Sequence, residues 1–104
     1  MSFLFDRCWS YIGYTRFSQD LSLQAPGCVH KGVIVHELLH ALGIFHEQSR
    51  ADRDSYVQIH LENVQQGLEY NFDKESTESL GVEYDPKSVM HYSRFVIVAL
   101  TFTR

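Results

Sequence analysis

The sequence predicts an α+β fold, in which a few short strands precede one amphipathic helix and an irregular, polar second half. Trp9–Ile12 is an aromatic and β-branched run of the kind found in strands. Gln19–Leu23 alternates polar and apolar residues, which predicts a half-buried strand. Apolar residues at helical spacing predict a helix from about Lys31 to Leu42. Residues 73–85 carry several acids and a glycine, and they predict a surface loop.

Composition limits the classes of partner that the chain can bind. Its 104 residues, 44% of them hydrophobic, suffice for one domain with a modest core. Nine basic and thirteen acidic residues give a net charge of −4 without a basic cluster, so nothing favours binding to nucleic acid or an anionic membrane. No apolar run approaches the roughly 20 residues of a membrane-spanning helix. We therefore expect no nucleic-acid partner and no membrane span.

The predicted helix contains a spacing typical of metal chelation. At roughly 100° per residue, His36 and His40 project from the same side of the helix, so both imidazoles can reach one metal ion. Glu37 lies about 100° around the helix from His36. From there its carboxylate can accept a proton from a water that the metal polarises, which makes it the candidate general base.

The other side of the same helix carries an apolar stripe. Val35, Leu38, Leu39 and Leu42 recur at i, i+3, i+4 and i+7, the pattern of a face that packs into a core. We therefore expect this face to be buried, with the histidines on the opposite side.

A third ligand follows the helix. Gly43 can adopt the left-handed conformation that ends a helix and reverses the chain, and His46 comes three residues later. Three neutral imidazoles leave zinc its full charge and an open coordination position, as in catalytic sites. The spacing H-x-x-G-x-x-H therefore predicts a catalytic zinc site on His36, His40 and His46. Three other histidines fall outside this spacing and are expected to be ordinary surface or core imidazoles: His30, His60 and His91.

Three segments resemble the astacin family of metzincin zinc endopeptidases. The run HELLHALGIFHEQSRADRD at residues 36–54 resembles the signature of that family. Ser88–Tyr92 resembles its Met-turn, and Cys8–Gly13 resembles the start of one of its strands. The likeness indicates a partial astacin-like peptidase domain over residues 1–95, followed by a divergent apolar tail over residues 96–104.

The resemblance implies a fold and a mechanism. The fold is a zincin-like (metzincin) partial catalytic domain, with a twisted sheet, the active-site helix and part of a lower subdomain. The implied activity is hydrolysis of peptide bonds in peptide or protein substrates, with Glu37 as general base. Tyr92 is implied as a fifth zinc ligand that can move to hydrogen-bond the oxyanion of the reaction. Met90 is implied as an apolar floor beneath the metal.

The resemblance also assigns the strand and the two cysteines. By likeness, Leu21–Leu23 belongs to the edge strand along which astacins bind extended peptides. Cys8 and Cys28 are the only cysteines, and on their own they could be core thiols or a disulfide. The family pairs the cysteines at these positions, which implies a disulfide and a secreted, extracellular protein.

Other features favour a different interpretation, in which the chain is a truncated and catalytically incompetent zinc-binding or interaction fragment. The charged segment at residues 47–54 is expected to be a solvated loop, apart from Glu47, which in astacins is buried and linked to the mature amino terminus. This sequence has no matching amino terminus, so we expect Glu47 to lack its partner, which is costly for a buried carboxylate. The apolar run Phe95–Phe102 has high β propensity and is an aggregation hazard if exposed. It is either a strand that substitutes for missing structure or the result of an altered or mispredicted gene end.

Two further elements are predicted in the second half. Tyr56–Leu61 alternates briefly and predicts a strand. Asn63–Phe72 places its apolar residues on one side of a short helix, although Gly67 opposes helix formation there.

Overall fold

The computed structural model describes residues 8–92 and the backbone of residues 100–102. The chain divides into two compact units, Met1–Phe45 and His46–Arg104, and each is described by itself. Residues 1–7, where the partial peptidase domain was expected to begin, and most of the apolar run at residues 95–102 lie outside the described residues.

The first unit contains a two-stranded antiparallel sheet and a helix. Strand β1 is Cys8–Ser10 and strand β2 is Leu21–Leu23, with Cys8 opposite Leu23 in the register. Both strands were predicted at these places and are shorter than the patterns suggested. Cys8 forms a disulfide with Cys28, as the family resemblance implied, and both side chains are buried. The bridge closes the segment that contains β2, so it ties the sheet to the start of the helix.

Helix α1 spans Lys31–Ala41, within one residue of the predicted bounds, and packs against both strands. It ends as the sequence predicts, because Gly43 adopts a left-handed φ of 102°. The Gly43 N–H donates to the carbonyl of His40, and the Ile44 N–H donates to the carbonyl of Leu39. This pair of bonds is a Schellman motif, which satisfies helix-terminal carbonyls and turns the chain toward His46.

The prediction of a buried apolar face on α1 was wrong. Leu42 is 79% exposed and Leu38 is 50% exposed, and Val35 is exposed as well. The fully buried residues of the helix are instead Glu37 and His40. Periodicity shows which side chains share a face, whereas burial also requires an element that covers it. The strands described beside α1 comprise two segments of three residues each, which are too small to cover every side of a helix of 11 residues.

The second unit is mostly irregular. Strand β3, Val57–Ile59, lies within the predicted strand and pairs antiparallel with β4, Leu100–Phe102, so the end of the apolar run does form a strand. Short 3₁₀ turns account for the other regular structure described in this unit: Glu47–Ser49, Arg53–Ser55, Leu61–Asn63 and Glu69–Phe72. Within the described residues, no helix has the length and hydropathy to cross a bilayer.

The predicted helix over Asn63–Phe72 was wrong. The segment contains Gly67 with a left-handed φ of 91°, which an α-helix does not accommodate. Its last part, Glu69–Phe72, is a 3₁₀ turn, and Phe72 there is buried. The positive φ at Gly67 reverses the chain where the periodic pattern would have continued it.

The expected loops are only partly solvated. Most of residues 73–85 is exposed, as predicted, but Tyr84 is buried. In the charged segment at residues 47–54, Gln48 and Ser49 are buried, contrary to the expectation of a solvated loop. The buried apolar and aromatic side chains described in this unit are Val57, Phe72, Tyr84, Met90 and Tyr92.

Candidate metal centre

The structure groups the three predicted histidine ligands. One ring nitrogen each from His36, His40 and His46 lies within 4.8 Å of the others. The rings of His36 and His40 meet edge to face, with 4.6 Å between centroids. Helical spacing brings these two together, and the turn at Gly43 returns the chain so that His46 reaches the same place. Among the residues described, this is the group of side chains suited to a metal ion.

A hydrogen bond orients the imidazole of His40. Its Nδ1 lies 2.7 Å from the carbonyl oxygen of Ile44, just past the helix end. A carbonyl oxygen only accepts, so Nδ1 must carry the proton and donate. In the neutral ring this leaves the lone pair on Nε2. Metal-binding histidines commonly have this arrangement, in which one ring nitrogen faces the metal and the other donates to a carbonyl or carboxylate. Burial also lowers the pKa of His40 to about 4, which favours the neutral imidazole that a metal requires.

Glu37, between the two helical histidines in sequence, is buried. The residue is 2% exposed, and its Oε2 has no hydrogen-bond partner among the described residues. Burial raises the pKa of its carboxyl group to about 7, because desolvation disfavours the charged form. A cation held by the histidines would favour the carboxylate and oppose this shift. A buried carboxylate oxygen without a partner is unusual and is consistent with a site that receives another group.

Tyr92 and Met90 lie in the second unit. Both are buried, and the ring of Tyr92 lies 4.6 Å from the ring of His46, tilted by 54°. The ring of Phe72 meets Tyr92 edge to face at 6.0 Å. The tyrosine is therefore held in contact with the third histidine of the cluster.

Comparison with known proteins identifies the family. The family model described as Astacin, a family of peptidases, matches residues 2–102, nearly the whole chain. The chain belongs to the astacin family. A solved structure of High choriolytic enzyme 1, described as a hatching enzyme zinc-protease from Oryzias latipes, superposes with a TM-score of 0.87 at 43% sequence identity. The fold is accordingly a partial astacin catalytic domain.

Other relatives extend the comparison. Embryonic protein UVS.2 of Xenopus laevis is 53% identical over 88 residues, which are 85% of this chain and 17% of that protein. Zinc metalloproteinase nas-13 of Caenorhabditis elegans is 53% identical over 91 residues, 85% of this chain and 20% of that protein. The solved astacin structure is matched over 93% of this chain and 52% of its own length. The chain thus spans about half of that solved astacin and a fifth or less of these two relatives.

The residues of this astacin fit one zinc ion. Imidazole nitrogen is a normal zinc ligand, and a set of three protein ligands is typical of catalytic zinc sites, whereas structural sites use four. The neutral tautomer of His40 and the unpartnered oxygen of Glu37 are both consistent with a cation there. Zinc is therefore the cofactor for which this chain, like its family, carries the ligands.

Glu47 has partners in this chain, contrary to our expectation. Its Oε1 accepts hydrogen bonds from Arg50 Nη1 at 3.2 Å and from the backbone N–H of Asp85 at 2.8 Å. Arg50 also bonds both carboxylate oxygens of Asp52, at 2.9 Å each. The family resemblance pointed to a distant amino terminus, but a guanidinium three residues along the chain compensates the charge locally.

Two of the remaining histidines, His60 and His91, make contacts outside the cluster, as predicted. Nδ1 of His60 lies 3.2 Å from Glu62, and Nε2 of His91 lies 2.6 Å from the hydroxyl of Tyr84.

Sequence reasoning missed Gln48, which is fully buried and contacts Tyr92. Its only sequence signal is its place two residues after His46, within a segment whose composition suggested solvent exposure.

Proposed function

We propose that this chain carries the catalytic centre of a zinc-dependent endopeptidase that hydrolyses peptide bonds in peptide or protein substrates. The observation that carries the proposal is the grouping of three imidazole nitrogens within 4.8 Å, next in sequence to the buried carboxylate of Glu37. Zinc, when bound, supplies a Lewis acid that increases the acidity of water and polarises a carbonyl. The remaining steps are performed by groups of this chain.

Glu37 is the proposed general base and acid. Its carboxylate removes one proton as water adds to the scissile carbonyl carbon, which forms the new carbon–oxygen bond. The same group then delivers that proton to the amide nitrogen as the carbon–nitrogen bond breaks, which releases a neutral amine. Burial suits the role, since Oε2 makes no competing hydrogen bond with the residues described. A carboxylate in solvent would be occupied by water and less able to move a proton directionally.

Tyr92 is the proposed donor to the oxyanion. Negative charge develops on the former carbonyl oxygen during water addition, and a phenolic O–H held nearby stabilises it without reorganisation. Contact with the ring of His46 and with Phe72 holds the tyrosine ring in a fixed place beside the third ligand. The family resemblance also makes Tyr92 a zinc ligand in the absence of substrate.

Strand β2 is the proposed guide for the substrate. Leu21–Leu23 pairs with β1 on one side in the two-stranded sheet. By the family resemblance, an extended peptide binds along this strand through backbone hydrogen bonds, which do not depend on the side chains of the peptide. This recognition favours unfolded or extended substrates. The disulfide between Cys8 and Cys28 supports an extracellular place of action, because such bonds persist in oxidising compartments.

A second candidate function is a zinc-binding or interaction fragment without peptidase activity. The exposed apolar face of α1, which includes Leu38 and Leu42, favours it, because contiguous exposed apolar side chains often mark a surface that binds a partner. The same histidines would then bind zinc, but the cleft beside them would be incomplete.

The two functions are separated by measuring zinc and cleavage on the same sample. Zinc stoichiometry is determined on the purified monomer by atomic absorption, and cleavage of an unstructured protein is measured before and after chelation and after adding zinc back. One zinc per chain with reversible, chelator-sensitive cleavage supports the endopeptidase. One zinc without cleavage supports the second function, and a chain that binds no zinc contradicts both.

Matched histidine variants show which imidazoles are responsible. His46→Ala removes a member of the cluster, whereas His60→Ala removes a histidine that pairs with Glu62 outside it. We expect His46→Ala to lower zinc affinity by more than about a hundredfold, beyond the loss typical for a residue that only supports a ligand. His60→Ala should keep the zinc of the wild type.

A further inference from the structure

We propose that Gln48 is a positioning residue that holds Tyr92 beside His46. Its side chain is fully buried, and its Oε1 accepts a hydrogen bond from the backbone N–H of Tyr92 at 3.0 Å. The two residues are 44 apart in sequence, so this bond joins two distant segments of the second unit. The inference deepens the proposed function, because it concerns how the proposed oxyanion donor is held.

Gln48 is itself fixed at the main chain. It lies in the 3₁₀ turn Glu47–Ser49, which begins directly after His46, and the Ser49 N–H donates to the carbonyl of His46. The carbonyl of Gln48 accepts from the guanidinium of Arg53 at 3.2 Å. The acceptor for Tyr92 is therefore held by the same turn that begins at the third histidine.

A second bond runs parallel to the first. The Glu47 N–H donates to the carbonyl of Met90 at 2.9 Å, two residues before Tyr92. Together these two hydrogen bonds fix the segment Met90–Tyr92 against the 3₁₀ turn that follows His46. The ring of Tyr92 consequently lies against the ring of His46, with 4.6 Å between centroids. The place of the phenol follows from these backbone contacts as well as from ring packing.

Within the described part of the chain, the side-chain amide of Gln48 makes a hydrogen bond through its oxygen but not through its nitrogen. Its Nε2 is buried and has no hydrogen-bond partner among the residues that the structure describes. A buried donor without an acceptor costs free energy, so stability alone does not favour a glutamine here. What the glutamine provides is an acceptor of the right length for the Tyr92 N–H. A side chain that keeps the acceptor and lacks the amide donor should keep the bond to the Tyr92 N–H, although a carboxylate at this buried place lowers the stability of the chain.

Two variants of Gln48 test this directly. Gln48→Met keeps the shape of the side chain and removes the acceptor, whereas Gln48→Glu keeps an acceptor oxygen and removes the unused donor. Amide hydrogen exchange of the full chain, measured by NMR, should show the Tyr92 amide exchanging roughly tenfold faster in Gln48→Met. In Gln48→Glu the Tyr92 amide should exchange about as slowly as in the wild type. The Ser49 amide, bonded within the turn, serves as the internal control and should keep its protection in both variants.

A double-mutant cycle of kinetic measurements then separates a role of Gln48 in positioning Tyr92 from a role in stability alone. We expect Gln48→Met to lower kcat of the zinc-loaded chain with little change in KM, and to have no further effect in a Tyr92→Phe background. A residue that matters only for stability would lower both backgrounds equally and would lower the melting temperature in parallel. An equal loss in the two backgrounds, or unchanged Tyr92 exchange in Gln48→Met, would overturn the proposal. If the wild type binds zinc without cleaving, the endopeptidase function fails, but the exchange experiment still decides the role of Gln48.

Discussion

His40 Nδ1 lies 2.7 Å from the carbonyl oxygen of Ile44, and this contact links an imidazole of the candidate metal centre to the turn that ends the helix. The carbonyl is available there because Gly43 reverses the chain with a φ of 102°. The glycine thus serves two purposes, since the same turn carries His46 back to the cluster. The tautomer of one ligand and the position of another depend on one backbone conformation.

The first prediction concerns that glycine, with a helical glycine as its matched control. Gly43→Ala forces a left-handed φ on a residue with a Cβ, so we expect a loss of about 1–2 kcal/mol in the free energy of unfolding. Gly32→Ala lies in α1, where an added Cβ meets nothing within 4 Å, and should stabilise by about 0.5–1 kcal/mol. Urea unfolding of the zinc-free chains measures both effects.

The same glycine pair tests the link to the metal. If the turn at Gly43 holds the Ile44 carbonyl behind His40, Gly43→Ala should lower zinc affinity about tenfold in a competition titration with a chromogenic chelator. Gly32→Ala should leave the affinity unchanged. A less stable Gly43→Ala chain that keeps full zinc affinity would refute the coupling between helix end and ligand.

The second prediction concerns the general base. Glu37→Gln keeps the shape of the side chain but cannot accept the proton from water, so we expect kcat to fall by about 10²–10⁴-fold. Zinc stoichiometry should stay at the wild-type value, because Glu37 is not one of the proposed zinc ligands. Chelator-sensitive cleavage that persists in Glu37→Gln would reject this residue as the base.

Much of the metal centre could be predicted because it is local. His36 and His40 lie on one helix and His46 follows within a few residues, so helical geometry and one glycine turn suffice to bring them together. The bounds of α1 were predictable for the same reason, since adjacent residues determine the turn that ends it. The family resemblance, not periodicity, pointed to Tyr92.

The errors concern relations between distant segments. The exposure of Leu42 depends on which elements cover the helix, and periodicity holds no information on that. The burial of Gln48 depends on Tyr92, 44 residues away, although its neighbours in sequence are charged. Glu47 was expected to lack the partner that the family resemblance implies, whereas Arg50 and the backbone of Asp85 contact it. Composition describes neighbours along the chain, whereas these three outcomes depend on neighbours in space.

The third prediction concerns the disulfide. Cys8 and Cys28 are 20 residues apart, and closing a loop of that length stabilises by roughly 3 kcal/mol in the chain-entropy model. The double variant Cys8→Ala and Cys28→Ala should therefore lose about that much in free energy of unfolding, measured by urea titration at neutral pH. The wild type assayed under strong reducing conditions should approach the same midpoint. A double variant with the wild-type midpoint would show that the bridge contributes little to stability.

The fourth prediction concerns Tyr84 at alkaline pH. The ring is buried, stacks on Tyr56 at 4.7 Å, and its hydroxyl lies 2.6 Å from His91 Nε2. Burial raises the pKa of Tyr84 well above its ordinary value of 10.0, and the charge of Glu47 adds to the shift. The folded state thus keeps a proton that the unfolded chain loses. The contribution of this group to stability is intact below pH 10 and falls as the pH rises above it.

Tyr84→Phe separates this effect from other alkaline changes. The variant should be about 1 kcal/mol less stable at pH 8, because His91 loses its hydrogen-bond donor. Above pH 10, however, the free energy of unfolding of the variant should fall less steeply with pH than that of the wild type. The two slopes should differ by about 1.4 kcal/mol per pH unit, because the variant lacks one ionising group. Urea unfolding between pH 8 and pH 11 measures both slopes. Parallel slopes would mean that Tyr84 ionises in the folded protein as readily as in the unfolded chain, and that its burial does not protect the proton.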